Sequence, residues 1–215
     1  MKILLGMPSR RTDDVERIRD LMVWAWGLDK HEVRFLLDCT YGVDVARSRI
    51  IDEAKRWGAE LLIMMDTDCA IRLSARSTLS ILAQAWSRGY GMLISPTVSS
   101  QGKIMVMAPK HQTPFGKPSD IPLDGAFEIS WGALGFAAIR GEVLEKLKPL
   151  GESKYLNADP SPLYCRYEVG GDGEDKSLCE NVATTGYKVG ADVRLYVDHF
   201  KYMPLPSYRG PMHAV

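Results

Sequence analysis

The run Leu61-Leu62-Ile63-Met64-Met65 contains only apolar residues and is followed directly by Asp66-Thr67-Asp68. Five consecutive apolar residues leave no polar side for solvent, so they predict a strand that is buried on both faces of a sheet. Such strands belong to parallel sheets whose two faces are covered by helices. The apolar run ends abruptly, which places Asp66 and Asp68 at the carboxyl end of a central strand.

The segments before and after this strand alternate between strand and helix patterns. This alternation predicts a single-domain, Rossmann-like α/β fold with a mixed, mostly parallel sheet and helices on both faces. Before residue 100, the apolar spacing predicts strands over 2–7, 32–38, 61–65 and 91–97, and helices over 12–27, 43–57 and from Ser74 to about Arg88.

The second half of the chain is less regular. Two long loops, 109–125 and 151–173, interrupt it, and loops of this length in a compact domain are more often functional than accidental. The predicted strands are 102–108, 127–139 (two strands around a glycine turn) and 193–199, the helices are 141–148 and 174–185, and 204–215 is an irregular tail.

Composition narrows the class of protein. The 215 residues carry a formal net charge of zero, which gives no global electrostatic case for a nucleic-acid or membrane partner. No stretch approaches the roughly 20 apolar residues of a membrane span, and the apolar run at the N-terminus is too short for a signal peptide. We therefore expect a soluble, cytoplasmic protein without a membrane span; its oligomeric state is left open.

The pair Asp66 and Asp68 has chemistry suited to a metal. Hard cations such as Mg²⁺ and Mn²⁺ take oxygen ligands, and they often use one or two carboxylates while phosphate oxygens complete the shell. The carboxyl ends of strands are also where open α/β sheets bind ligands. Two aspartates at this spacing occur about once by chance in such a chain, so a capped strand end is the alternative.

Three further features follow in the sequence. Gly132 and Gly135 lie at a predicted strand break, where a missing side chain lets the backbone approach a ligand. Glu174 and Asp175 open a predicted helix; acidic residues there suit the helix dipole, and they could also accept a proton from a hydroxyl nucleophile. His199 ends the last predicted strand, where a lone histidine is more often structural.

Taken in this order, the four features resemble the GT-A glycosyltransferases, especially the family 2-like enzymes. Their hallmarks are a DxD motif, a glycine-rich loop, an xED motif and a C-terminal metal-binding histidine. Arg47 also lies in a segment that resembles the family's alanine-arginine-asparagine stretch, although Ser48 replaces the asparagine. Gly186-Tyr187-Lys188-Val189 resembles the family's turn that leads to the last strand. The resemblance spans residues 2 to about 200, and it implies a GT-A domain over 1–203 with a nucleotide-binding half over 1–100 and an acceptor half over 101–203.

The resemblance implies a metal-dependent glycosyltransferase of the hexosyltransferase class. Such an enzyme moves a sugar from a nucleotide-sugar donor, with a UDP-sugar favoured here, to an acceptor hydroxyl. Asp66, Asp68 and His199 would hold Mn²⁺ or Mg²⁺. Asp175 would be the general base of an inverting displacement, with Glu174 as the alternative; in a retaining enzyme Asp175 would only position the substrate.

The resemblance also implies where the donor binds. The ends of the first two strands would hold the nucleoside, an arginine could pair with phosphate, and Trp131 could stack on a sugar ring or else belong to the core. The residues implied in donor binding are Pro8, Ser9, Asp38, Arg47, Asp66, Trp131, Gly132 and Gly135.

Two other functions stay open at this point. A sugar-nucleotide nucleotidylyltransferase shares the fold, but it normally carries a GxGTR-type loop and a lysine where this chain has Gly6-Met7-Pro8-Ser9-Arg10-Arg11. A non-catalytic nucleotide- or carbohydrate-binding module would bind the donor without turnover. The acceptor is unidentified; a modified base in DNA is one candidate, and it would require a basic groove.

Overall fold

The computed structural model of the chain describes most residues of the predicted domain. Residues 15–17 and His199 are described by their backbone alone, and the predicted tail 204–215 lies outside the described residues. The described residues are 1–9, 15–39, 42–97, 105–109, 115, 120–153, 160–167, 173–195 and 197–199.

Helices and short strands alternate along the described chain. None of the helices described is both long and apolar enough to cross a bilayer. The helices are α1 (Val15–Ala25), α2 (Val43–Trp57), α3 (Ala75–Ser87), α4 (Gly141–Lys146) and α5 (Glu174–Thr184), with a 3₁₀ turn over Trp26–Leu28. The strands are β1 (Lys2–Pro8), β2 (Glu32–Asp38), β3 (Leu61–Met65), β4 (Cys69–Ile71), β5 (Tyr90–Ile94), β6 (Val106–Met107), β7 (Phe127–Glu128), β8 (Trp131–Gly132), β9 (Phe136–Arg140), β10 (Gly151–Glu152), β11 (Pro162–Leu163), β12 (Lys188–Ala191) and β13 (Val197–His199).

Seven of these strands form the central sheet, in the order β2-β1-β3-β9-β5-β12-β7. Strands β2, β1, β3, β5 and β12 run in one direction, whereas β9 and β7 run against them. The prediction of a mixed, mostly parallel sheet is therefore confirmed. Because β3 and β1 lie side by side and parallel, their carboxyl ends meet at the same edge of the sheet.

The core lies on both faces of the sheet, as the continuous apolar run over β3 predicted. Leu62 and Met64 face a cluster that includes residues of α2, α4 and α5, whereas Leu61, Ile63 and Met65 face a cluster that includes residues of α1 and α3. All five residues of β3 are buried. Burial of one such side chain contributes about 1.5–3 kcal/mol, so β3 is anchored strongly from both sides.

Several predicted boundaries in the second half were wrong. The strand predicted over 193–199 is shorter, Val197–His199, and Lys188–Ala191, which begins in the predicted turn, joins the sheet as β12. Strand β12 is too short to show a pattern, and its place depends on a tertiary contact: a Cβ on Gly190 would lie 2.6 Å from the Tyr90 ring. Strand β4 was not predicted, and 127–139 contains parts of three strands rather than two.

Candidate active site

Arg47, near the N-terminus of α2, connects three acidic side chains. Its Nη2 atom donates to Oδ1 and Oδ2 of Asp66, at 2.9 and 3.1 Å. Its Nη1 atom donates to Glu174 Oε1 at 2.9 Å and to Asp175 Oδ1 at 2.5 Å. Arg47 is only 2% exposed, whereas the three carboxylates are half-buried. One guanidinium group thus brings the first aspartate of the Asp66-Thr67-Asp68 turn together with the Glu174-Asp175 pair.

The fold explains why these distant residues meet. Asp66 directly follows β3, at the carboxyl edge of the sheet, and its backbone N–H donates to the Gly135 carbonyl at 3.0 Å. Glu174 and Asp175 are the first two residues of α5, which packs on the same face of the sheet as α2. The sheet edge and two helix N-termini therefore converge on Arg47.

A short segment from Tyr164 to Arg166 ties α2 to α5. Ser48 Oγ on α2 accepts a hydrogen bond from the Tyr164 N–H at 2.9 Å. On α5, Asn181 Nδ2 donates to the Tyr164 carbonyl at 2.9 Å, and Ser177 Oγ accepts from the Arg166 N–H at 2.8 Å. The contacts of Ser48 and Asn181 are buried, where an unmade hydrogen bond is costly, whereas that of Ser177 is exposed. Together these contacts fix α5, and with it the acidic pair, relative to Arg47.

Ser48 and Asn181 were not among the predicted site residues. Both are almost fully buried, at 0% and 3% exposed. A polar residue among the apolar positions of a helix is a detectable signal, and Asn181 stands beside Cys179 and Val182 on the buried side of α5. That signal identifies a buried hydrogen bond but not its partner, because the partner segment lies far away in sequence.

The glycines of the predicted loop serve close packing. A Cβ on Gly132 would lie 2.4 Å from Ile94 Cδ1 and 3.0 Å from the backbone carbonyl oxygen of Met105. A Cβ on Gly135 would lie 2.9 Å from Cys69 Sγ, directly after the Asp66-Thr67-Asp68 turn. Both glycines therefore let neighbouring strands approach the site; a role in donor binding stays a prediction.

The acidic cluster carries more negative than positive charge. The pKa of Asp175 is raised to about 6, mainly by burial and also by Glu174 and Asp66, with Arg47 opposing them. Burial also raises the pKa of Asp66, with Asp68 and Glu174 adding to it against Arg47. Burial alone would lower the pKa of Arg47, but its carboxylate partners outweigh burial and raise it. Such a cluster favours the approach of a proton or a cation.

Of the predicted metal ligands, Asp66 belongs to this cluster and Asp68 lies close enough to raise the pKa of Asp66. Asp66 and Asp68 supply oxygen donors of the kind that Mg²⁺ and Mn²⁺ prefer, and their mutual repulsion is one that a bound cation relieves. Strand β13 pairs with β4 so that His199 is in register with Cys69, the residue after Asp68. Within the described side chains, which exclude that of His199, no three His, Cys, Asp or Glu groups form a metal site.

The residues predicted to hold the nucleoside lie at the ends of β1 and β2. Pro8 and Asp38 are in register, and the Ser9 N–H donates to the Asp38 carbonyl at 2.8 Å. Ser9 and Asp38 are buried, and the Arg49 Nε atom lies 3.3 Å from Asp38 Oδ2. Because β1 pairs with both β2 and β3, these residues share the carboxyl edge of the sheet with Asp66.

Trp131 lies on β8, which pairs with β6 outside the central sheet. Its side chain is half-buried and packs against the core cluster of α2, α4 and α5. Helix α5 also packs against β8, so Trp131 is close in the fold to the helix that begins with Glu174 and Asp175. The Trp131 ring is thus partly buried and partly exposed to solvent. Its stacking on a sugar ring stays a prediction.

Two solved structures share this architecture. A197 from STIV aligns over 94% of this chain and 87% of its own, with 18% sequence identity and a TM-score of 0.61. GalNAc-T7, solved with UDP, GalNAc and Mn²⁺, aligns over 98% of this chain and 46% of its own, with 12% identity and a TM-score of 0.52. No protein family matches the chain by its sequence, and neither does any curated protein. At these identities the likeness shows the fold alone, and that fold is the predicted GT-A, Rossmann-like α/β fold.

Proposed function

We propose that the chain is a metal-dependent glycosyltransferase that moves a sugar from a nucleotide-sugar donor to an acceptor hydroxyl with inversion. The observation that carries this proposal is the convergence of Asp66 and Asp175 on Arg47 in a GT-A fold. The proposed base and one proposed cation ligand are then held by the two terminal nitrogens of one guanidinium group. Acid–base chemistry and phosphate binding both need such groups at close range.

Asp175 is the general base in this proposal. It lies at the N-terminus of α5, and its burial, together with Glu174 and Asp66 and against Arg47, leaves it with a pKa of about 6. A base with a pKa near the working pH is ionised in most molecules and still accepts a proton readily. Glu174 is the alternative base. It accepts a hydrogen bond from the same Arg47 Nη1 atom as Asp175.

Arg47 acts as a positioning residue. Both of its terminal nitrogens donate to carboxylates, while its Nε atom is buried and has no hydrogen-bond partner among the described residues. A donor phosphate would have to displace these carboxylates to bind the guanidinium fork. We therefore favour a role in which Arg47 holds Asp66 and Asp175 in place over the predicted role as a phosphate ligand.

Asp66, Asp68 and His199 hold the divalent cation in this proposal. Asp68 and His199 are supported as ligands by the pairing of β13 with β4 beside the Asp66-Thr67-Asp68 turn. When bound, Mn²⁺ or Mg²⁺ supplies Lewis-acid stabilisation of the charge that develops on a leaving diphosphate. GalNAc-T7, which has the same fold, was solved with Mn²⁺ and UDP, and this supports Mn²⁺ as the first cation to test.

The donor nucleoside is assigned to the ends of β1 and β2, at Pro8, Ser9 and Asp38. The sugar then extends along the sheet edge towards Asp175, with Gly132, Gly135 and Trp131 as its predicted neighbours. A UDP-sugar is the favoured donor, in line with the UDP in the GalNAc-T7 structure. The acceptor contributes the hydroxyl that Asp175 deprotonates.

A donor screen tests this proposal. The protein is incubated with UDP-, GDP-, dTDP- and ADP-sugars, with Mn²⁺ or with a chelator, and nucleotide release and thermal stabilisation are measured. We expect release from one donor class only in the presence of the cation. Cation-dependent thermal stabilisation by a donor, without release of nucleotide from any of them, would instead identify a non-catalytic binding module.

Asp68→Ala provides the matched variant for the cation. We expect it to lose the cation-dependent part of the stabilisation by nucleotide, because the proposal assigns Asp68 to the cation. Asp124→Ala, which removes an exposed carboxylate, is the control and should retain full stabilisation. Equal nucleotide stabilisation of the Asp68→Ala variant and the parent protein would count against the metal site.

A further inference from the structure

Strand β13 carries His199, the last of the proposed cation ligands. Among the described strands it pairs only with β4, in a two-stranded sheet apart from the central sheet. The pairing covers three residues on each strand, and an isolated two-stranded pair is at best marginally stable. Val197 adds an apolar contact, because it packs against the core cluster that includes residues of α1 and α3. The position of His199 therefore depends on whatever else holds β13 in place.

An ion pair ties β13 to the segment that follows β4. The Nε atom of Arg72 donates to Asp198 Oδ2 at 2.5 Å, and its Nη2 atom contacts the same oxygen. Asp198 is the residue before His199, whereas Arg72 follows the last residue of β4. A planar guanidinium group that uses two nitrogens on one carboxylate restricts direction as well as distance. The ion pair therefore holds β13 against β4 directly beside His199.

The segment that carries Arg72 is itself anchored between two helices. The indole Nε1 atom of Trp24 on α1 donates to the Leu73 carbonyl at 2.9 Å. Leu73 also packs against the core cluster that includes residues of α1 and α3. Ser74 caps α3, and its Oγ atom accepts a hydrogen bond from the Ser77 N–H at 3.2 Å. Arg72 therefore extends from a fixed segment, and its ion pair can fix β13 relative to the rest of the fold.

We propose that Arg72 is a positioning residue for the cation site. Its ion pair with Asp198 keeps β13, and with it His199, beside the Asp66-Thr67-Asp68 turn. The register of the two strands supports this role, because His199 lies opposite Cys69, the residue that follows the turn. Arg72 touches neither the cation nor the donor in this proposal and acts through β13. The inference rests on the proposed function, since it concerns the cation of that function.

The direction of the expected effect separates this role from simple electrostatics. A cation binds less tightly beside a positive charge, so the loss of the Arg72 charge would by itself strengthen cation binding. In this proposal the loss of Arg72 weakens cation binding instead, because His199 loses its support. Residues that orient metal ligands change metal affinity by about 10–100-fold. The Arg72 side chain is 47% exposed, and exposed ion pairs contribute less, so we expect a loss of about three- to tenfold.

Titration with Mn²⁺ alone tests the proposal, with free Mn²⁺ followed by its electron paramagnetic resonance signal and folding checked by circular dichroism. We expect Arg72→Gln to weaken Mn²⁺ binding about three- to tenfold. Arg76→Gln, which removes the same charge from an exposed side chain on the first turn of α3, should not weaken it. Arg72→Glu combined with Asp198→Arg should recover most of the affinity that Arg72→Glu alone loses.

Two outcomes of this titration overturn the proposal. The first is parental or tighter Mn²⁺ binding in Arg72→Gln, which would leave electrostatics as the whole effect of this charge. The second is an equal loss in Arg72→Gln and Arg76→Gln, which would remove any special role of the ion pair. A parent protein that binds no Mn²⁺ overturns both this inference and the cation site of the proposed function.

A double-mutant cycle with His199→Ala tests whether Arg72 acts through the histidine. In the His199→Ala background, Arg72→Gln should change Mn²⁺ affinity by less than about twofold, because the residue that it positions is already gone. An equal loss in both backgrounds would show that Arg72 acts by another route and would overturn the inference. Parental Mn²⁺ affinity in His199→Ala would also overturn it, whereas Asp68→Ala would still test the rest of the cation site. Failure of this inference is thus distinguishable from failure of the proposed function.

Discussion

Arg47 Nη1 donates to Asp175 Oδ1 across 2.5 Å, although the two residues are 128 positions apart in the chain. The same nitrogen also donates to Glu174, and the other terminal nitrogen donates to Asp66. One buried side chain therefore supplies a shared positive charge to three carboxylates. Their geometry and their protonation both depend on it.

Replacing Arg47 should be strongly destabilising. Arg47→Ala leaves Asp66, Glu174 and Asp175 without their cation in a half-buried site, and breaking a buried pair in this way costs about 3–5 kcal/mol. Urea denaturation at neutral pH measures the change in the free energy of unfolding. The loss should become smaller as the pH falls through about 6, because a protonated Asp175 no longer needs the cation.

Arg56→Ala is the matched control for this experiment. Arg56 lies on the same helix and also contacts acidic residues, but its side chain is 67% exposed. Exposed ion pairs contribute at most about 1 kcal/mol, so this variant should remain close to the parent protein in stability. Equal losses in the two variants would show that Arg47 is an ordinary helix residue.

Asp175→Asn separates the proposed base from the proposed binding groups. The amide keeps the size of the side chain but cannot accept the acceptor's proton, so turnover should fall by about 10²–10⁴-fold. Stabilisation by nucleotide and Mn²⁺ should remain, because Asp175 is not among the predicted cation ligands. Glu180→Gln, an isosteric change at an exposed position of the same helix, should keep parental turnover. Parental turnover in Asp175→Asn would exclude the base role.

The pH dependence of stability should report on the same carboxyl group. Burial raises the pKa of Asp175 from its ordinary value of 3.8 to about 6, so the fold favours the protonated form. The stability that this group contributes is complete below about pH 4 and is lost as the pH rises through 6. Relative to Asp175→Asn, the parent should therefore lose about 3 kcal/mol over this interval. Paired urea titrations measure the difference, and a constant offset between the two proteins would contradict the raised pKa.

Local sequence patterns were sufficient for the first half of the fold, apart from the short strand β4. The apolar run over β3 predicted a strand that is buried on both faces, and the bounds predicted for β2, α2 and β3 agree with the structure. These elements succeed because each carries its own periodicity and each ends at a clear signal, such as Gly58 with its left-handed backbone after α2. The confirmed GT-A fold follows mainly from these elements.

The features that could not be predicted from the sequence depend on tertiary contacts. Arg47 was predicted to pair with phosphate because nothing local reveals that three carboxylates from β3 and α5 surround it. Strand β12 was taken for a turn, since its four residues become a strand only between β5 and β7. Its neighbours, rather than its own pattern, supply the hydrogen bonds. The same holds for Asn181, whose partner Tyr164 lies in a loop.

Gly132 lies on β8, which packs against α5, the helix that begins with Glu174 and Asp175. Adding a methyl group at Gly132 should test whether this packing positions the two acidic residues. A Cβ at this position would lie 2.4 Å from Ile94 Cδ1, which can turn away, but also 3.0 Å from the Met105 carbonyl oxygen, which belongs to the backbone. Overpacking of this kind costs about 1–3 kcal/mol, so Gly132→Ala should lower the free energy of unfolding by that amount. Because α5 packs against β8, the strain should also displace Asp175 and reduce turnover more than donor binding. Gly151→Ala is the control, since a Cβ there meets no atom within 4 Å and its variant should match the parent in both assays. If Gly132→Ala were as stable and as active as Gly151→Ala, close packing at this glycine would not be what holds α5 in place.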